Sequence, residues 1–378
     1  MINVLYITHE SGEVLGSTHS LVNMLHSVKN EVHPVIIFPH KGKAYDYLVE
    51  SGYTCYVVQF KLNIAPKRWR WLKLIPRKIV DSAVNATAIR KISKIVKREN
   101  VQLIHSNSSV FTIGYDAAKV NALKHVWHLR EFQDLDFGMQ PFSGWRQLKM
   151  KINSSDAVIA ITKTIAEHFD VNVGNNGYII YDAVRSKDEI CMDFPKKHIL
   201  LFCGNVIPEK GAETALDIFI KFVKQHENYQ LLYLGNVNAE YKEYLSNKAT
   251  VNNVLNKVQF LGYQRDVKKY MREATALLMC SRNEAQGRVT IEAMFYGCPV
   301  IGYKAGGTQE IIKDGVNGFW FDSIDEAINK LNIIASNNIR SVIERSQKYV
   351  TTHFSEETYK QKILSIYCTL LHIANISE

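Results

Sequence analysis

A chain of 378 residues with 46% apolar and 22% charged side chains has average globular usage, yet it is too long for one ordinary core, because single cores stop growing beyond roughly 250–300 residues. No apolar run is long enough to form a bilayer-spanning helix, and the six cysteines (Cys55, Cys191, Cys203, Cys280, Cys298, Cys368) have neither a C-x-x-C pair nor zinc-type spacing. That pattern argues against a disulfide framework or a structural metal site and predicts buried thiols in a reducing, cytoplasmic setting.

The first element is a strand over Asn3–Thr8; it lacks the basic flank and small-residue cleavage site of a signal peptide. Gly12–Thr18 then opens a helix carrying Leu21, Val22, Leu25 and Val28, with Gly16 the residue best suited to close approach by a ligand. Strands follow over Pro34–Phe38 and Thr54–Val58.

The net charge of +9 is concentrated next: residues 61–100 hold twelve Lys and Arg against two acids. Within them, residues 66–78 interleave Trp69, Trp71, Leu72 and Leu74 with cations, the composition of a segment that docks on an anionic membrane surface. A solvated basic face is the alternative reading, and no nucleic-acid module accompanies the charge.

Further strands are expected over Leu103–His105, His125–His128, Ala157–Ile161 and Tyr178–Ile180. Polar residues after the first two, including Asn107, His128, Arg130 and Glu131, fall at strand ends, where open α/β sheets bind ligands. A helix cap for Asn107 and a purely structural role for a lone histidine are the bland alternatives.

A polar, turn-rich stretch near 183–197 reads as a hinge, after which the series restarts: Ile199–Cys203, Gln230–Leu234, Val258–Leu261, Ala276–Cys280, Val300–Tyr303 and Phe319–Phe321. Two successive strand–helix series predict an α/β protein of two Rossmann-like parallel-sheet domains, 1–183 and 197–354. The spacing of Tyr359, Ile363, Ile366 and Leu370 predicts a final helix within 355–378.

The most informative stretch runs from Ser281 to Ile301. A strand gives way to a loop with Glu284 and Gly287, and a helix starts at about Arg288. Amides and the positive dipole end at Gly287 suit a diphosphate. Glu292, one turn into the helix, can reach ribose hydroxyls, while Glu284 precedes the turn on the side of a hexose. Any isolated pair of glutamates at this spacing has an ordinary explanation; the neighbouring motifs are what give it meaning.

Glu284 and Glu292 resemble the E-x7-E signature of family-4 retaining glycosyltransferases of the GT-B fold. Around them, Phe202–Gly211 is similar to that family's G-R-L-x-x-x-K-G loop, Val258–Gly262 to its V-x-F-L-G strand, Gly306–Glu310 to its G-G-x-x-E turn, Tyr181–Val184 to its linker N-G-V, and Ser155–Ala160 to a late strand of its first domain. The ordered matches run from about residue 155 to 321, with weaker similarity at Gly12–Ser20 and His125–Glu131.

The resemblance implies two domains facing a central cleft, with the last helix crossing back to the first domain. It implies a nucleotide diphosphate sugar as donor, a saccharide or lipid-linked acceptor in surface-polysaccharide synthesis, and no metal or other cofactor. By the same resemblance, Glu284, His128 and Lys210 are catalytic, and Glu292, Gly287, Arg288, Val289, Asn205, Gly16 and Gly262 hold the donor. Arg130, Glu131 and Asn107 face the acceptor. One departure stands out: where the family has arginine, this chain has uncharged Asn205. A nucleotide-sugar epimerase and a non-catalytic GT-B partner subunit are the competing readings.

Overall fold

The computed structural model describes residues 1–12, 16–66, 74–190, 196–336 and 339–374. The chain divides into two compact units, Met1–Ala183 with Glu356–Glu378, and Val184–Ser355. Most of the basic segment 66–78, and residues 13–15 of the first loop, lie outside the described residues.

The first unit is built on a seven-stranded parallel sheet. Its order is Thr54–Val57, Val32–Phe38, Ile2–Ile7, Leu103–Ser106, Lys124–Leu129, Ala157–Ala160 and Gly177–Ile179. Both faces are covered, and the strands are accordingly mostly apolar, with buried His105, Ser106, His125 and His128 as polar exceptions. Side chains of Ile2–Ile7 alternate between two cores: Ile2, Val4 and Tyr6 join one, Leu5 and Ile7 the other. The first core contains Leu21, Val22 and Leu25 of helix Gly16–Val28, together with Tyr359, Ile363 and Tyr367 of the last helix, Glu356–Leu371. The C-terminal helix is therefore part of the first unit. The second core contains Ala88, Ile92, Ile95 and Val96, a helix-spaced stripe on Leu74–Arg98.

A short antiparallel ribbon joins Ile64–Pro66 to Met139–Pro141. Sequence reading gives no sign of it, because three-residue strands with proline at an end carry neither period nor length.

The second unit has a six-stranded parallel sheet ordered Val258–Phe260, Gln230–Leu234, Lys197–Cys203, Ala274–Met279, Val300–Tyr303 and Phe319–Phe321. Leu200, Phe202, Leu231, Tyr233, Ala276 and Leu278 on one face pack with Leu216 and Phe219 of helix Ala212–Phe222 and Leu331 of helix Ile324–Ser336. Both sheets are Rossmann-like, with the chain reversing its direction of travel across the sheet after the third strand in sequence. Among the described residues no helix is long and apolar enough to cross a membrane, and the five described cysteines are free.

Candidate active site

In the second unit the strand order reverses between Lys197–Cys203 and Ala274–Met279. Ligands of open α/β sheets bind outside the carboxyl ends of the strands at such a switch point. The two loops that leave these strands carry Lys210 and Glu284, and Lys210 Nζ lies 2.8 Å from Glu284 Oε2.

Close backbone packing fixes both loops. Gly211 has φ +73, and a Cβ there would stand 2.4 Å from the Cys280 carbonyl oxygen, so only glycine lets the Lys210 loop reach the end of the neighbouring strand. On the far side Gly307 N–H donates to the Glu284 carbonyl at 2.7 Å. A Cβ on Gly306 would meet that same oxygen at 2.6 Å. The paired glycines thus clamp the backbone of Glu284.

Helix Arg288–Phe295 begins at Gly287, whose φ is +76 and which provides no side-chain cap. Its first turn keeps the positive dipole end without a capping carboxylate or hydroxyl. Arg288 and Val289 occupy that turn, both half-buried. One turn further, Glu292 Oε1 accepts from Arg185 Nη2 at 3.2 Å. Arg185 also lies over the Tyr296 ring, at 5.7 Å. Asn205 stands exposed after the first strand of the unit, and Gly262 follows the strand Val258–Phe260 at the same edge. The structure therefore pairs Lys210 with Glu284 beside Gly287, sets Glu292 further along the helix that starts there, and adds Arg185 as its partner, a linker residue without a local signal in the sequence.

The first unit treats its polar residues differently. His128, Arg130, Glu131 and Asn107 are all buried. Tyr6 Oη and Tyr367 Oη are 3.0 Å apart, Tyr367 Oη lies 2.7 Å from His105 Nδ1, and His105 Nε2 lies 3.2 Å from His128 Nδ1. Arg130 Nη2 is 3.3 Å from that same His128 Nδ1.

A guanidinium only donates, so Nδ1 of His128 accepts and we assign its proton to Nε2. It follows that His105 donates through Nε2 and accepts at Nδ1 from Tyr367, which in turn accepts from Tyr6. Burial, reinforced by Arg130 and by a neighbouring histidine (His105 for His128, His125 for His105), drives both well below their ordinary pKa, keeping them neutral. Among the described residues His128 Nε2 has no hydrogen-bond partner; it lies 3.8 Å from Asp182 Oδ1.

Arg130 also pairs with Asp182 and bonds Asn107 Oδ1 at 2.8 Å. Glu131 Oε1 accepts from Ser108 Oγ, from the Ser109 amide at 2.7 Å and from Ser109 Oγ at 2.9 Å. Its carboxylate fastens the loop after Leu103–Ser106. Asp182 and Tyr367 escape sequence reasoning because their partners are distant in the chain. Gly16 is the first residue of helix Gly16–Val28. Among the described residues no cluster of three or more His, Cys, Asp or Glu has metal-binding geometry.

Residues 191–351 match the family model of glycosyl transferases group 1. An uncharacterized glycosyltransferase of Methanocaldococcus jannaschii is 27% identical over 298 residues, 76% of this chain and 80% of its own. The lipopolysaccharide core biosynthesis glycosyltransferase LpsE of Rhizobium meliloti is 28% identical over 188 residues, 48% of this chain and 52% of its own. Among solved structures, Anabaena HepE in complex with UDP superposes with a TM-score of 0.81 at 18% identity, covering 97% of this chain and 100% of that one. Residues 191–351 thus resemble group 1 glycosyl transferases, and the two Rossmann-like sheets give the chain the GT-B fold of its structural neighbours.

Proposed function

We propose that the protein is a retaining, metal-independent hexosyltransferase that takes its sugar from a nucleotide diphosphate donor. The acceptor is a saccharide or lipid-linked saccharide in cell-surface polysaccharide synthesis, at the cytoplasmic side of a membrane. The observation that carries this reading is the Lys210–Glu284 pair at the switch point, beside the start at Gly287 of a helix that carries Glu292 in its second turn. UDP in the HepE complex and the lipopolysaccharide role of LpsE support the donor and acceptor classes.

Both acids of the site hold an internal cation, and a donor exchanges those partners. The diphosphate draws Lys210 from Glu284 and settles on the first amides of the helix, leaving Glu284 to accept from hexose hydroxyls. Ribose hydroxyls replace Arg185 on Glu292, and the released guanidinium offsets the charge missing at Asn205. The acceptor hydroxyl then forms its bond to the anomeric carbon on the face from which the diphosphate oxygen departs, and that oxygen takes the proton. Lys210 and the amides stabilise the departing charge. His128 enters as an Nε2–H donor to a sugar hydroxyl, not as a base.

Exposed Ile79 and Val80 beside Lys78 support docking on an anionic membrane surface through 66–78. Sedimentation with vesicles of graded anionic lipid tests it: replacing Lys67, Arg68, Arg70 and Lys73 by glutamine and both tryptophans by serine abolishes partitioning, and equal partitioning removes the idea. For the enzyme itself, titration with nucleoside diphosphates and NMR of the product anomer are decisive. Binding with a retained anomeric configuration is expected. Conversion of donor without acceptor indicates an epimerase, and neither binding nor turnover a non-catalytic subunit.

A further inference from the structure

The first unit contains a cavity of about 540 Å³, within the range of small-ligand pockets, that none of the roles above uses. Its walls come from segments that follow the carboxyl ends of three parallel strands. Lys61–Asn63 follow Thr54–Val57, Thr112 follows Leu103–Ser106, and Phe142 and Ser143 follow Lys124–Leu129. The cavity opens along the same sheet edge as His128 and Arg130, where open sheets take ligands. One face of helix Leu74–Arg98 closes it, with Lys78, Asp81, Ser82, Asn85 and Ile89 at helical spacing. The antiparallel ribbon braces the far wall: Asn63 Nδ2 donates to Ser143 Oγ at 3.0 Å, and the Ser143 amide donates to Asn63 Oδ1 at 2.9 Å.

The lining is unbalanced in charge and in hydrogen bonding. Both carboxylates are committed: Asp81 to Arg77 at 2.9 Å, and Asp116 to Lys151 at 2.7 Å and to Thr112 Oγ1 at 2.9 Å. Lys61 and Lys78 have no ion pair among the described residues. Asn85 Oδ1 already accepts from the Lys61 amide at 2.8 Å, which leaves its NH₂ as a donor. Ser82 and Gln147 add polar groups without a hydrogen-bond partner among the described residues. The one aromatic wall, Phe142, has a face covered by the Arg77 guanidinium at 4.6 Å.

A neutral sugar can bond Ser82 and Gln147 but supplies no counter-charge for Lys61 and Lys78. A nucleobase would have to share the pocket's single aromatic ring, Phe142, with the Arg77 guanidinium already stacked on it. A ligand with several anionic oxygens satisfies two lysines and an amide donor together.

We propose that this cavity binds a phosphate or diphosphate group of the acceptor, so that the acceptor is a phosphorylated, oxygen-rich headgroup rather than a neutral saccharide. This rests on the glycosyltransferase reading above. Lys78 belongs both to the pocket and to the basic segment 66–78, so a headgroup still attached to its lipid is one source of the phosphate; a soluble phosphosugar is the other.

The test is calorimetric titration of inorganic pyrophosphate into the full chain already saturated with a nucleoside diphosphate, so that the donor site is occupied. Wild type should bind, and the Lys61→Gln/Lys78→Gln double variant should bind at least about tenfold more weakly. Lys91→Gln, an exposed site on the same helix, should match wild type. Flotation with phosphatidylcholine vesicles carrying a polyprenyl phosphate distinguishes the sources: retention that depends on Lys61 and Lys78 indicates a lipid-borne phosphate, and pyrophosphate binding without retention a soluble one. Equal pyrophosphate affinity in wild type and double variant, with unchanged melting curves, overturns the proposal. So does pyrophosphate binding that the nucleotide abolishes. Failure of the enzyme reading is separate, appearing as a wild type that binds no nucleotide at all.

Discussion

The two units carry polar residues at equivalent carboxyl edges of nearly equivalent sheets, and they hold them in opposite ways. In the first unit His105, His128, Arg130 and Asp182 lie in a buried hydrogen-bonded chain that ends in Tyr6 and Tyr367. In the second, Lys210–Glu284 and Arg185–Glu292 are half-exposed ion pairs, with Lys210 39% and Arg185 27% accessible. Partly exposed pairs are weak and exchange partners readily, whereas a buried, fully connected network is rigid and strongly penalised when a member is lost. The contrast sets exchangeable ion pairs in the second unit against a fixed hydrogen-bonded frame around His128 in the first.

Acid should break the first unit before the second. Burial lowers the pKa of His125 to about 3, and those of His105 and His128 well below the ordinary value of 6.5. Above 6.5 these groups are neutral in both folded and unfolded chains. As pH falls below 6.5 the unfolded chain takes up protons that the folded one refuses, so stability is lost on the way down. Each such histidine costs about 1.4 kcal/mol per pH unit, about 4 kcal/mol if all three respond. Among the described residues the second unit buries no histidine. Hydrogen exchange at pH 7.5 and 5.5 should show the loss confined to the first unit; uniform loss would erase the distinction.

Substitutions in the second unit should act on the reaction and leave folding nearly intact. Lys210→Ala should lower turnover by about 10²–10³, the usual loss for one donor to a developing anion. Glu292→Ala should weaken donor binding by about tenfold to a hundredfold, while Glu284→Ala acts mainly on turnover. Steady-state kinetics resolve the three, and a shared effect on melting temperature would argue for structural roles instead.

Tyr367→Phe sharpens the comparison from the other side. It leaves His105 Nδ1 and the Tyr6 hydroxyl without their shared partner, costing about 1–3 kcal/mol of stability. It should also shift the ¹⁵N signals that report the tautomers of His105 and His128. Unchanged signals would show that the last helix does not set them. Smallest of all, Asn205→Arg should keep or modestly improve nucleotide affinity, since an exposed cation at that edge meets a diphosphate; weakened binding would give Asn205 another part.

Much of this was legible before any coordinates. All thirteen strands of the two sheets fall within two residues of their expected limits at each end, because strands buried on both faces form dense apolar runs. Gly211, Gly306 and Gly307 were visible as motif positions, but the carbonyls they admit, those of Cys280 and Glu284, exist only in three dimensions. The histidine chain was hidden for the same reason: His105 and Tyr367 are 262 positions apart, and Arg130 and Asp182 are 52. No periodicity or capping signal links residues at such separations. Arg185 is one polar linker residue among several, and nothing local distinguishes a residue that pairs with Glu292.

The most direct test of the division between the units is calorimetric titration of the nucleoside diphosphate that wild type binds into two variants, Glu292→Gln and His128→Gln. The account predicts that Glu292→Gln loses most of its nucleotide affinity while His128→Gln keeps it and loses turnover. Full affinity in Glu292→Gln, or lost affinity in a folded His128→Gln, would contradict the placement of the nucleotide on the second unit.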